Sequence, residues 1–211
     1  MSPILSAIVG ANADLLPSTL ELYVPEGPVL DVTWGQGAFW RHVDVSRWQP
    51  VGSDLVAFDG CRVVADFRCL PYADASATCI ILDPPYMHGG STVKSSINRC
   101  YRNDETDHSH AAVVQRYALG MIEAKRVLQP GGVLLIKCQD ETVGGKQRRT
   151  HIEILALMDL LELEDLDLRF LVQDHDPCMR HGYQLTSRKN LSFMWVARKR
   201  GRRPPAARDL P

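Results

Sequence analysis

The chain predicts an α/β fold, a doubly wound and mostly parallel sheet of seven strands with helices on both faces. Three observations carry this reading. Short apolar runs alternate with longer stretches of helical character along the 211 residues, which argues for parallel strands joined by crossover helices. Four acids, Asp31, Asp59, Asp66 and Asp83, each follow an apolar run, and sheets of this kind bind ligands at the carboxyl ends of their strands. The first run opens into a glycine-rich turn, Thr33-Trp34-Gly35-Gln36-Gly37, where glycine lets a ligand approach the main chain closely.

Each element has its own signal. Residues 13–22, with Asp14 near the start, predict a helix leading into the first strand at 29–31. The second strand is expected at 55–59, closing on Asp59, and the third at 62–65, just ahead of Asp66. The fourth, 78–82, runs straight into Asp83-Pro84-Pro85-Tyr86. A long helix over 110–128 is stopped by Gln129-Pro130-Gly131-Gly132. The fifth strand follows at 133–137, then a helix at 151–163 whose apolar positions are only partly periodic. Residues 166–172 and 192–198 predict the last two strands, an antiparallel pair. The whole is a Rossmann-like arrangement.

With 45% hydrophobic content, the length suits one full core. Residues 1–200 are expected to form a single domain, and 201–211, basic and rich in proline, a disordered tail. That tail reads equally well as a solubilising end or a nucleic-acid contact. A net charge of −1 confines any nucleic-acid surface to local clusters, Arg148-Arg149 among them. The six cysteines show no two-residue spacing, which argues against zinc or redox work. His108-Ser109-His110 and the loose set His175, Cys178 and His181 match no closed zinc site, so no metal is expected. Pro177-Cys178 lies too late in the chain to supply a nucleophilic thiol after the fourth strand. No run reaches the roughly 18 apolar residues of a membrane span, and no basic leader precedes the apolar start. A reducing cytoplasm is the expected location.

Asp83-Pro84-Pro85-Tyr86 is the most chemically specific feature. An amine conjugated with a planar ring is a poor nucleophile because its lone pair is delocalised. Methylating it requires acceptors that hold the amine with its lone pair aimed at the methyl donor. The Asp83 carboxylate can accept one N–H and the Pro84 carbonyl the other. Proline fixes φ and drives the preceding residue extended, so two in succession hold these acceptors still, as electrostatic preorganisation requires. Tyr86 offers a face on which a base can stack, worth about 1–3 kcal/mol. Asp and Pro are also ordinary turn residues, so the corner alone leaves a plain turn open.

The upstream acids fit a cofactor. A dinucleotide site wants Gly or Ala three residues after Gly37; Trp40 stands there, and Asp31 would oppose a diphosphate. Asp31 can instead accept from the ammonium of an amino-acid-bearing cofactor, as in S-adenosylmethionine. Asp59, at the expected end of the second strand, would hold a ribose diol. Asp66 would accept from the adenine amino group, with Phe67 against the ring. Singly, each acid also reads as a solvated loop residue; their joint placement after successive strands favours the cofactor.

On these residues the chain resembles class I S-adenosylmethionine-dependent methyltransferases, specifically DNA adenine amino-methyltransferases of the Asp-Pro-Pro-Tyr type. The segment 31–40 resembles their first cofactor motif, Asp59 and Asp66 match their ribose and adenine contacts, and Asp83 to Tyr86 matches their catalytic tetrapeptide. Lys137-Cys138-Gln139-Asp140 with Gly145-Lys146-Gln147-Arg148 resembles small phage and bacterial enzymes of this sort. The resemblance implies a cofactor site of Asn12, Asp31, Thr33, Gly35, Gly37, Asp59, Asp66 and Phe67, with catalysis by Asp83, Pro84, Pro85 and Tyr86. The implied product is N6-methyladenine in DNA, and a duplex base would have to be flipped out. The candidate nucleic-acid contacts are Lys94, Arg99 and Tyr101 in the long segment 87–108, and Lys146, Arg148 and Arg149. No large recognition domain is present in the sequence pattern, which implies a short target, or a homodimer or partner subunit that reads sequence. An RNA amino-methyltransferase and a non-catalytic cofactor-binding subunit are the alternatives, and a nicotinamide oxidoreductase a distant third.

Overall fold

The computed structural model describes residues 3–85, 109–143, 145–173, 187 and 189–201. In chain order the elements are β1 (Ala7–Gly10), α1 (Asn12–Tyr23), β2 (Gly27–Asp31), a 3-10 helix (Ala38–His42), β3 (Trp48–Asp54), β4 (Cys61–Val64) and β5 (Ala77–Leu82). They continue with α2 (His110–Val127), β6 (Leu128–Gln139), β7 (Glu141–Val143), β8 (Lys146–Arg148), α3 (Thr150–Leu160), β9 (Leu163–Gln173) and β10 (Leu191–Lys199). Eight strands form one sheet in the order β1-β9-β10-β6-β5-β2-β3-β4, and β7 and β8 form a separate hairpin. All neighbours in the large sheet are parallel except those of β10, which runs antiparallel to both β6 and β9.

The sheet has eight strands rather than seven because β1 adds an edge. It pairs in parallel with β9 from Ala7–Phe170 to Gly10–Gln173. Four residues with exposed and half-exposed side chains leave almost no hydrophobic pattern to read. Its direction has a consequence: β1 delivers the start of α1, and with it Asn12, to the carboxyl edge of the sheet.

The second strand is displaced from the expected 55–59 to Trp48–Asp54. Pro50 and Gly52 disguise it, since both normally argue against a strand interior. Pro50 sits opposite Val29 of β2, and β4 pairs only from Gly52 onward, so on that side Pro50 has no ladder partner to lose. Gly52 is required by packing: a Cβ there would lie 2.8 Å from Cγ of Trp34.

Both faces of the sheet are covered. One core unites Ile80, Leu82, Leu134 and Ile136 with Tyr117 and Met121 of α2 and Ile154 and Met158 of α3. The other sets Val29, Ile81 and Leu135 against Leu15, Leu16 and Leu20 of α1 and Phe39 and Trp40 of the 3-10 helix. The cap of α2 is a serine, Ser109, whose hydroxyl accepts from the Ala112 N–H at 3.2 Å. Among the described residues, no helix is long and apolar enough to cross a membrane.

Candidate active site

Two adjacent strands, β2 and β5, bring the glycine turn and the Asp83 corner together. They pair at Leu30–Ile80 and Asp31–Ile81, and the Val32 N–H continues the ladder to the Ile81 carbonyl at 3.1 Å. One side chain then joins the two motifs: the Asp83 N–H donates to the Thr33 hydroxyl at 2.7 Å. Gly35 (φ 52°) and Gly37 (φ 64°) lie in the left-handed region, where any Cβ is strained. At Gly37 a Cβ would also meet the Trp34 ring at 2.9 Å.

Asp31 is buried at the end of β2, 1% exposed. Its carboxylate already has partners within the chain: the Trp40 indole N–H donates to one oxygen at 2.8 Å and the Thr33 N–H to the other at 3.3 Å. Burial pushes its pKa up to about 7 against these hydrogen bonds, with the charges of Asp83 and Asp54 adding to the rise. Asp31 thereby organises the turn as well as standing at its base.

At the end of β3 the acid is Asp54, not Asp59. Its carboxylate accepts the Gly35 N–H at 2.8 Å and the N–H groups of Leu55 and Val56, which oppose the upward pull of burial. Asp59 lies five residues further on, in the loop between β3 and β4, with an exposed side chain; its carbonyl accepts from the Trp34 indole at 2.9 Å. Trp34 itself lies against Gly37, Gly52 and Gly60, so three glycines leave room for one indole.

Asp66 is engaged by Arg68, whose main-chain N–H and guanidinium donate to its two oxygens at 2.7–3.0 Å. Burial alone would raise this acid, but the bonds from Arg68 outweigh it and hold it below the ordinary carboxylate range. Phe67 is buried at 7% exposure in the α2 core, close enough to Gly120 that a Cβ there would stand 2.9 Å from its ring.

Asp83 begins at the carboxyl end of β5, followed by buried Pro84 and half-buried Pro85. Its Oδ1 is buried and has no hydrogen-bond partner among the described residues, an acceptor left open. Burial raises its pKa, and the positive charge of Lys137 works against that rise. Tyr86, Lys94, Arg99 and Tyr101 lie outside the described residues. Asn12 is half-buried at the first turn of α1, and that turn is tied to the 3-10 helix by Asp14 and His42 at 3.0 Å.

The β7–β8 hairpin carries exposed Lys146 and half-buried Arg148, and exposed Arg149 precedes α3. A cavity of about 650 Å³ runs beside it, lined by Ser109, the cap that precedes α2, by His110 and Gln115 of α2, Arg148, and Glu153 of α3. His110 and Glu153 pair across it at 2.6 Å. Among the described residues, no group of three or more His, Cys, Asp or Glu could hold a metal ion. Asp54 and Lys137 stand outside the site residues read from the sequence. A lone lysine inside Val133-Leu134-Leu135-Ile136-Lys137-Cys138 was a legible signal, because lysine is almost never fully buried unless paired.

No protein-family profile and no curated protein matches the chain; solved structures do. A SAM-dependent methyltransferase from Methanosarcina mazei superposes with a TM-score of 0.53 at 14% identity, over 86% of this chain and 97% of that one. The 1,6-didemethyltoxoflavin-N1-methyltransferase of Burkholderia thailandensis, solved with bound 1,6-didemethyltoxoflavin and S-adenosylhomocysteine, gives 0.54 at 14% identity, over 90% and 77%. Against a proposed DNA modification methylase from Thermus thermophilus the chain spans only 50% of that protein's length, 64% of its own, with 22% identity and a TM-score of 0.43. The M. mazei and B. thailandensis superpositions establish the fold: this chain is built on the Rossmann-like sheet found in S-adenosylmethionine-dependent methyltransferases.

Proposed function

We propose that the chain is an S-adenosylmethionine-dependent N-methyltransferase acting on the exocyclic N6 amine of adenine in DNA. The observation that carries this reading is the Thr33–Asp83 hydrogen bond, which joins a glycine turn suited to a cofactor and an open acceptor suited to an amine. The buried, unpartnered Oδ1 of Asp83 fits a ligand that brings an N–H. The left-handed glycines at 35 and 37 fit a ligand held against bare main chain. The fold is that of proteins named for this cofactor, one of them solved with S-adenosylhomocysteine and 1,6-didemethyltoxoflavin.

When bound, the cofactor would supply a methyl group on a sulfonium. The chain's own residues do the rest. Gly35, Gly37, Asp31 and Asn12 would surround its amino-acid end, and Asp54, as the acid at the β3 terminus, replaces Asp59 as the candidate for the ribose diol. Asp83 would accept one N–H of the target amine and the Pro84 carbonyl the other, aiming the nitrogen lone pair at the methyl carbon. Positive charge develops on that nitrogen as the C–N bond forms, and a fixed carboxylate stabilises it. No covalent bond to the protein is required, and the extra proton leaves after transfer. Lys146 and Arg149 would be the candidates to meet phosphates, since the β7–β8 hairpin follows β6 in the chain.

The test is incubation of the isolated chain with isotopically labelled S-adenosylmethionine and unmethylated DNA, or RNA in parallel, followed by nucleoside mass spectrometry. Labelled N6-methyldeoxyadenosine, from DNA alone, is the expected result. Label in RNA alone would move the substrate to RNA, and none in either polymer would make the chain a non-catalytic subunit. Asp83→Ala should abolish transfer while fold and cofactor binding persist; full activity in that variant contradicts the role of the corner.

A further inference from the structure

We propose that Lys137 is a positioning residue for the reaction above: its buried ammonium keeps the Asp83 carboxylate anionic, and so able to hold and stabilise the amine. This rests on the methyltransferase reading. β5 and β6 pair in parallel at Leu82–Ile136, so the next residues in register are Asp83 and Lys137. Paired residues share a face of the sheet. Lys137 is 1% exposed and stands alone among apolar neighbours on β6. Its main-chain carbonyl accepts from the Tyr117 hydroxyl at 2.9 Å.

A lone carboxylate at Asp83 is disfavoured by burial. An isolated ion in an apolar interior neutralises rather than stay charged, and a positive charge on the neighbouring strand favours the anion. The reaction gives the pair a use. A protonated carboxyl would offer the target amine a weaker acceptor and no negative charge for the positive nitrogen. The remaining charged groups around the corner push the wrong way or are committed elsewhere. Asp31 on β2 and Asp54 on β3 are acids, and Asp31 is electrostatically coupled to Asp83. Asp140, just past β6, is held by His151 at 2.7 Å, and Cys138 carries no charge because burial raises its thiol. Asp14 of α1 is held by His42, and Arg169 of β9 donates to Ser18 at 2.7 Å. Arg116 belongs to α2, the helix that packs against Ile80 and Leu82. Among the described residues, Lys137 is the one positive charge acting on Asp83.

Two measurements test this. The first is the pH dependence of kcat for the wild type, Lys137→Met and Lys137→Arg. In Lys137→Met the acid limb should move up by about 1–3 pH units, with a loss of at least about tenfold at pH 6 that is largely recovered at high pH. Lys137→Arg should keep the wild-type profile. A merely structural lysine would lower the rate equally at every pH, and an unmoved limb overturns the proposal. The second needs no turnover: carboxyl-carbon NMR of chain labelled at aspartate, with the Asp83 signal assigned by its loss in Asp83→Asn. Asp83 should be ionised at pH 7 in the wild type and protonated in Lys137→Met. Identical titrations in the two, or a protonated Asp83 in the wild type, refute it. Should Lys137→Met not fold, the wild-type signal decides alone. An inactive wild type with the expected titrations would sink the methyltransferase reading and leave the charge pairing intact.

Discussion

Thr33→Val removes the hydroxyl that ties the glycine turn to the Asp83 corner while keeping the side chain's shape. In the native chain the Thr33 hydroxyl accepts the Asp83 N–H at 2.7 Å; valine offers no acceptor. A backbone donor left without a partner costs about 1–3 kcal/mol when buried. This bond is only partly buried, so water can recover some of that and the lower half of the range, about 1–2 kcal/mol, is expected. For a chain of this size each 1 kcal/mol moves Tm by about 2–4 °C, so a melting scan should show a drop of about 2–8 °C. The effect on rate should be larger than on stability, because a reacting group displaced by about 1 Å can lose about a hundredfold. Circular-dichroism melting and methyl transfer measured side by side separate the two. Thr33→Ser, which keeps the hydroxyl, should retain most of the wild-type rate. If Thr33→Val melts and turns over like the wild type, the bridge between the motifs has no functional weight.

Three further outcomes follow from the same geometry. Gly37→Val should weaken cofactor affinity first, since it combines a left-handed residue with a ring 2.9 Å away, together about 2–4 kcal/mol of strain; calorimetric titration with S-adenosylhomocysteine reads this, and unchanged affinity refutes it. Gly52→Ala should destabilise the fold by about 1–3 kcal/mol through overlap with Trp34, read as a lower urea midpoint with an unchanged slope. Asp31 binds its proton more tightly folded than unfolded, with a pKa moved from 3.8 to about 7. The native state therefore gains from this group at low pH and loses that gain as pH rises from about 4 to about 7; Asp31→Asn should flatten the decline in denaturant titrations across that window, and an equal decline in both proteins would show that Asp31 is not its source.

Strong local patterns translated well. The apolar run ending at Leu82 became β5, and the long helix before Pro130-Gly131 became α2 within one residue at its end, because periodicity, capping and breakers all agreed there. Weak or contradictory local signals did not. Asp59 was read as a strand end because Leu55, Val56, Ala57 and Phe58 are apolar, yet they form the loop beyond β3. The real strand hides a proline at an unpaired position and a glycine that faces Trp34, features that make sense only once β2 and the indole are in place. The acid at the strand end is accordingly Asp54. β1 escaped notice because an edge strand of four residues needs a partner, β9, that lies about 160 residues away in the chain.

By itself the sequence determined the sheet class, the glycine turn and the Asp83-Pro84-Pro85 corner, since each is written in contiguous residues whose backbone preferences act locally. Only the tertiary structure decided which donors each acid meets. Asp31 accepts from Trp40, Asp66 accepts from Arg68 and Phe67 packs against α2, whereas Asp83 keeps an unpartnered oxygen at the end of the strand paired with β6. Whether a carboxylate is satisfied depends on donors brought from other strands and turns, and that pairing exists only after the chain has folded.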